Sequence, residues 1–187
     1  MSEAQIVNAT RKWVEDVVVG YNLCPFAKRE LVRDRVRFVM TDAENEDDLL
    51  KALHAELQRL EDEPDIETTL LIHPGVLQDF DAYNEFLDTA EGLVAYLELE
   101  GIYQVASFHP DYQFAETEPG AAENYTNRSP YPMLHLLREA SLEAAIDSHP
   151  DVDGIPDRNI ALMNELGAEK MRQILAGCIK NSQPTGE

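Results

Sequence analysis

Two short β-prone runs that each stop at His-Pro, with a well-patterned helix between them, constrain this chain more than any other feature. Thr68-Thr69-Leu70-Leu71-Ile72 runs into His73-Pro74, and Tyr103 to Phe108 runs into His109-Pro110. Between them Phe80, Tyr83, Leu87, Ala90, Val94 and Leu97 recur at helical spacing. A crossover of that length joins parallel strands in a right-handed unit. Upstream, Val36, Phe38 and Met40 alternate with Arg35, Arg37 and Val39, as in an edge strand with one solvated face. Leu49, Leu50, Leu53, Leu57 and Leu60 then mark a helix that Asn45 can cap. The middle of the chain reads strand–helix–strand–helix–strand. The unbroken run at 68–72 suits a strand buried on both faces, so it is placed centrally. The expected fold is α/β, a small parallel sheet of three or four strands flanked by about six helices.

The flanks are helical. Ile6, Thr10, Trp13, Val14, Val17 and Val18 predict a helix over 4–19, with Gly20 at its stop. Pro25 holds Cys24 away from helix geometry in the passage Tyr21-Asn-Leu-Cys-Pro-Phe-Ala27. Residues 111–128 read as a long loop. Ser129 as N-cap and Pro130 in the first helical position predict a helix running to about Ile146. Further helices are expected from Pro156 to the break at Gly167, and from Ala168 to Cys178. One domain over 1–180 and a loose tail over 181–187 account for the whole length.

Charge narrows the partners. Fifteen Lys and Arg against 36 Asp and Glu leave a formal net charge of −21. Such a chain repels phosphate backbones and anionic lipid, so neither nucleic acid nor membrane is an expected partner. No apolar run reaches membrane-spanning length, and the charged N-terminus is unlike a signal peptide. Cys24 and Cys178 stand far apart and are expected to be reduced thiols in a cytoplasmic protein.

The chemistry concentrates in Gln104–Glu139. If the strands are parallel, His73 and His109 share the carboxyl edge of the sheet, where open α/β sheets bind ligands. They would act as general acid and base, or hold a divalent metal with Asp111, Glu123 or His135 as a third ligand. Equally, each could cap its strand. The predicted helix start at Ser129 would present free N–H groups and a positive dipole, with Arg128 beside it. Asn124, Tyr125 and Asn127 add polar contacts, and Tyr131, His135 and Arg138 would line one helix face. That set suits a small anionic molecule. Alternatively, Arg128 simply pairs with one of the many carboxylates. Cys24 is a third catalytic candidate if a histidine approaches it, although the end of the first helix would raise its pKa.

Four motifs, N-L-C-P-F-A (22–27), T-T-L-L-I-H-P (68–74), Q-V-A-S-F-H-P-D-Y-Q-F (104–114) and N-Y-T-N-R-S-P-Y-P-M-L-H-L-L-R-E (124–139), resemble those of a family of small bacterial proteins, mostly proteobacterial, known only as a domain of unknown function. The resemblance covers the chain nearly to its last helix. It implies a cytosolic bacterial protein of one domain and carries no activity, cofactor or oligomeric state.

These readings point to a hydrolase or group transferase acting on a small anionic metabolite, with its site at the carboxyl ends of the strands. Two alternatives belong to other classes. One is a non-catalytic module binding a metal or haem through Cys24 or the histidines. The other is an adaptor that docks a protein on the aromatic 108–131 surface.

Overall fold

The computed structural model describes residues 1–180 and Ser182. The first helix, α1 (Glu3–Trp13), opens with a reciprocal cap between Ser2 and Gln5. It then widens into a π-helical turn over Val14–Val19. There the Gly20 N–H reaches Glu15 O at 3.0 Å and the Leu23 N–H reaches Val18 O at 2.9 Å, each five residues back. The single helix expected over 4–19 therefore changes pitch after Trp13. Four valines crowd this turn, and β-branched side chains weaken α-helical packing of successive turns. A Cβ on Gly20 would collide with the Asp16 carbonyl oxygen. Gly20→Ala is expected to cost about 2 kcal/mol of overpacking strain, a fall of roughly 4–8 °C in Tm. An unchanged melting curve would show that the turn relaxes freely.

A short helix, α2 (Ala27–Val32), follows the Cys24-Pro25 passage and leads into β1 (Val36–Met40). Then come α3 (Glu46–Asp62), capped by Asn45, β2 (Thr68–Ile72), α4 (Phe80–Tyr96) and β3 (Tyr103–Phe108). A 3-10 turn spans Ala122–Thr126. The chain then forms β4 (Met133–Arg138), α5 (Glu139–Ser148), α6 (Gly154–Leu166) and α7 (Ala168–Lys180). Gly167, at φ 80°, separates the last two helices. The tail expected over 181–187 lies outside the described residues, Ser182 apart.

The sheet has four strands in the order β1-β2-β4-β3 and is mixed. β1 and β2 are parallel, whereas β4 runs antiparallel to both β2 and β3. The purely parallel sheet expected from the sequence is thus corrected, and so is the helix expected from Ser129 to Ile146. Met133-Leu-His-Leu-Leu is apolar on both faces, and a run this short fits a buried helix or a buried strand equally well. Pro130 and Pro132 disfavour helical geometry at Ser129 and Tyr131, the residues before them. The helix begins only at Glu139. β1 lies at the edge and β2 inside, as their patterns predicted.

Alternation divides the strands between two cores. Leu71, Leu134 and Leu136 pack under α3 and α4 with Leu53, Leu57 and Tyr83. Leu70, Ile72 and Met133 pack on the other face with Trp13, Val17, Met163 and Met171 from the terminal helices. That second face also holds a cavity lined mainly by apolar side chains.

Candidate functional site

β2 and β3 are both antiparallel to β4, so they point the same way and their histidines meet at one end of the sheet. His73 and His109 are each 0% exposed and flank the Tyr83 ring, at centroid distances of 5.9 and 5.0 Å. Hydrogen bonds define their tautomers. A carbonyl only accepts, so His73 carries its proton on Nδ1, facing Val76 O at 3.0 Å. His109 carries its proton on Nε2, facing Leu77 O at 3.2 Å, and its Nδ1 accepts the Asp111 N–H. Both rings therefore tie the 76–77 loop to the sheet. Burial holds His73 down to about 4, with His109 adding to the effect, and burial also lowers His109. Three of the four ring nitrogens are bonded to backbone; only His73 Nε2 is left, buried and unpartnered.

The groups expected to grip an anion hold their own loop together instead. Arg128 donates to Tyr112 O and Pro119 O and stacks on Tyr125. Asn124 accepts from the Phe114 N–H and Thr117 Oγ1 and donates to Glu118 O. Asn127 donates to Ser107 O, and Ser129 donates to Tyr131 O. No helix starts at Ser129, so the dipole expected there is absent. Arg138 donates to Ile66 O, Leu60 O and Tyr103 Oη, which fastens the end of α3 to β4. The aromatic rings of 108–131 are buried or half-buried, with Tyr112 packed on Phe114 and Phe80, and do not form an exposed face.

Cys24 stands elsewhere, at a cavity of about 260 Å³ on the second face of the sheet. Its floor is the outward row Thr68 and Leu70 of β2, His135 and Leu137 of β4, and Ala106 and Phe108 of β3. Its roof comes from Trp13, the π-turn valines Val14 and Val18, the Cys24–Phe26 passage and α5. Apolar side chains dominate the wall. An adjoining cavity of about 550 Å³ shares Val18, Cys24 and Phe108 and is closed by α6 and the 114–127 loop. Burial pushes the Cys24 thiol up, and the Phe26 and Ala27 N–H groups offset part of that rise.

His135 is the histidine that shares this cavity with Cys24. Thr68 Oγ1 donates to Leu136 O at 2.7 Å, which uses its only proton. It must therefore accept from His135 Nε2 at 2.6 Å. The His135 Nδ1 lone pair is left over, and among the described residues no hydrogen bond reaches it. Burial holds the ring down to about 4, so it is a neutral base at physiological pH. In a strand, His135 shares its face with Met133 and Leu137, and alternation turns Arg138 to the other face, where a helix would have set the two together.

Reading the sequence missed Trp13, Glu67 and Thr68 as site residues. Thr68 carried a usable signal, a polar side chain at the head of an otherwise buried strand. Trp13 looked like any apolar helix position. Among the described residues no group of three or more His, Cys, Asp or Glu side chains is placed to hold a metal ion. No described helix is long and apolar enough to cross a membrane.

No curated protein and no solved structure matches the chain. A family model described as "Protein of unknown function (DUF1415)" matches residues 5–173. A match over nearly the whole chain, spanning the sheet, both histidine-ended strands and the cavity walls, places this protein in the DUF1415 family.

Proposed function

We propose that this protein is an enzyme of hydrolysis or group transfer, working on a small, mainly apolar molecule in the cavity between the sheet and the π-helical turn. One observation carries the reading: Cys24 and His135, a thiol and a neutral imidazole with a free lone pair, line the same largely apolar cavity. Cys24 is the nucleophile and His135 the base. As the thiol attacks a substrate carbonyl, an S–C bond forms and the thiol proton passes to His135 Nδ1. The bond to the leaving group then breaks, and that proton returns to the leaving group. Water, or an acceptor alcohol or amine, cleaves the thioester and restores the thiol. A buried thiol with a raised pKa is inert until a ligand arrives with the base in place, which limits side reactions.

The anionic metabolite suggested by the sequence fits this space less well. Arg29 is paired with Glu30, and Arg138 is committed to backbone carbonyls and Tyr103. His73 and His109 support the site by holding the strand ends and take no part in proton transfer.

Incubation with p-nitrophenyl hexanoate, followed by acid quench and intact mass spectrometry, tests the reading. One hexanoyl group should appear on the chain and map to Cys24. Cys24→Ala should abolish it, and His135→Gln should slow its formation by about 100-fold, a typical general-base contribution. Labelling that persists in Cys24→Ala, or none in the parent protein, would remove the mechanism. A non-catalytic carrier using the same cavity is the second reading, favoured by the raised thiol pKa; it predicts binding without acylation.

A further inference from the structure

Three residues line both cavities on this face of the sheet: Val18 of the π-helical turn, Cys24, and Phe108 at the end of β3. All three are half-buried and keep accessible surface. The two spaces therefore abut at the thiol-bearing residue. Local structure puts it there. Pro25 keeps the backbone at Cys24 out of a helix, and α6 fastens the preceding residues, with Asn159 Nδ2 donating to Leu23 O at 2.8 Å and Arg158 donating to Asn22 O.

The two spaces differ in charge. In the first, Arg29 pairs with Glu30, Glu67 pairs with Arg35, and Arg138 is taken up by backbone carbonyls. Its wall is otherwise mainly apolar, and His135 belongs to it alone. In the second, Thr126, Asn127 and Asn159 donate to backbone carbonyls. Glu123 is half-buried in that lining, and among the described residues no ion pair or hydrogen bond holds its carboxylate. No described Lys or Arg lines this second cavity. Its lining is thus negative, in a chain whose net charge is already −21.

We infer that Cys24 stands between an acyl compartment and an acceptor compartment: the apolar cavity holds the acyl chain, and the adjoining one receives first the leaving group and then an amine acceptor, selecting against anions. This rests on the thiol reading above and names its substrate class. The donor's carbonyl carbon bonds to Cys24 Sγ, and its leaving group departs with the proton that His135 held. The acceptor amine then attacks the same carbon and its proton passes to His135. The S–C bond breaks, the amide leaves, and the thiolate takes the proton back. A phosphate-bearing acyl carrier is disfavoured, because the second lining holds no cation to meet it.

The probes are three hexanoyl thioesters that share one acyl group: those of thiocholine, a cation, of 2-mercaptoethanol, neutral, and of 3-mercaptopropionate, an anion. Acylation of Cys24 is followed by intact mass spectrometry at ~0.15 M salt, which screens the distant surface charge. The thiocholine ester should react about tenfold faster than the neutral one, and the anion about tenfold slower. Glu123→Gln should bring all three within about threefold. Ala106→Leu, in the first cavity only, should slow all three and keep their order. The isolated hexanoyl-enzyme should pass its acyl group to 1,3-diaminopropane at least tenfold faster than to β-alanine. Equal rates for the three esters in the parent protein, or an order that Glu123→Gln leaves untouched, would overturn the inference while acylation of Cys24 upholds the thiol reading. Hexanoyl release to water alone would overturn the amine acceptor. No acylation by any ester, p-nitrophenyl hexanoate included, would overturn both.

Discussion

Tyr83→Phe is expected to lower the unfolding free energy by about 3 kcal/mol although it removes a single oxygen. The Tyr83 hydroxyl donates to Met133 O at 2.8 Å and accepts the Phe108 N–H at 3.0 Å, which joins α4 to the paired ends of β4 and β3. The residue is 0% exposed, so water cannot replace the lost group. Each backbone group left buried without a partner costs ~1–3 kcal/mol, and here there are two. The ring remains, so its packing against His73 and His109 is kept and no cavity term enters. Urea denaturation should show a lower midpoint at constant slope, and the Phe108 amide should exchange faster with solvent. A loss below ~0.5 kcal/mol would mean that both groups find other partners. Because Phe108 walls the cavity, ligand affinity should fall along with stability.

Acid should unfold this protein through two histidines that the fold keeps neutral, His73 and His135. His73 and His135 titrate near 6.5 when unfolded and are held down to about 4 in the fold by burial. Their contribution to stability is therefore fully present above pH 6.5. It is lost as pH falls from there towards 4, because the unfolded chain takes up protons that the native state refuses. Each histidine is worth about 3 kcal/mol across that window, and the steepest loss is two protons, ~2.7 kcal/mol per pH unit. The groups around them do not offset this. His73 faces Tyr83 and the equally neutral His109, and His135 faces Thr68 and the Phe108 ring. The net charge of −21 works the other way, since acid relieves repulsion among surface carboxylates. A variant comparison separates the two effects. His135→Gln should flatten the pH dependence of the urea midpoint between pH 4.5 and 6 by about one proton. The same slope in parent and variant would exclude His135 as a contributor.

The candidate site was partly legible. Cys24, His73, His109 and His135 all stood out as reactive types in an unusual context, and the common direction of β2 and β3 does bring His73 and His109 together. Their roles divided in a way that no local pattern could reveal. The strand-end pair is neutral and bonded to the 76–77 loop, whereas His135 was assigned to a helix face that does not exist. Arg128, Asn124 and Ser129 looked like ligand-binding groups because polar side chains dense in a loop look the same whether they meet a ligand or the loop's own carbonyls.

What the sequence determined by itself is the run from β1 to β3. Alternation at 35–40, leucine spacing at 49–60, the β-prone run at 68–72 and the helical spacing at 80–97 each carry a period within a dozen residues. Those periods decide the element and the buried face without outside help. Tertiary structure decided β4. Met133–Leu137 is apolar on both faces, and its state depends on whether its backbone N–H and C=O groups bond along a helix or across to neighbours. Two strands far away in the chain, β2 and β3, each present an unpaired edge to it, and pairing with both satisfies its backbone from either side. That choice turned a parallel sheet into a mixed one and aimed His135 at the cavity. It also placed His135 on the wall of a cavity that a cysteine from the far end of the chain lines too, because ladder partners are supplied by the whole fold and by no local window of sequence.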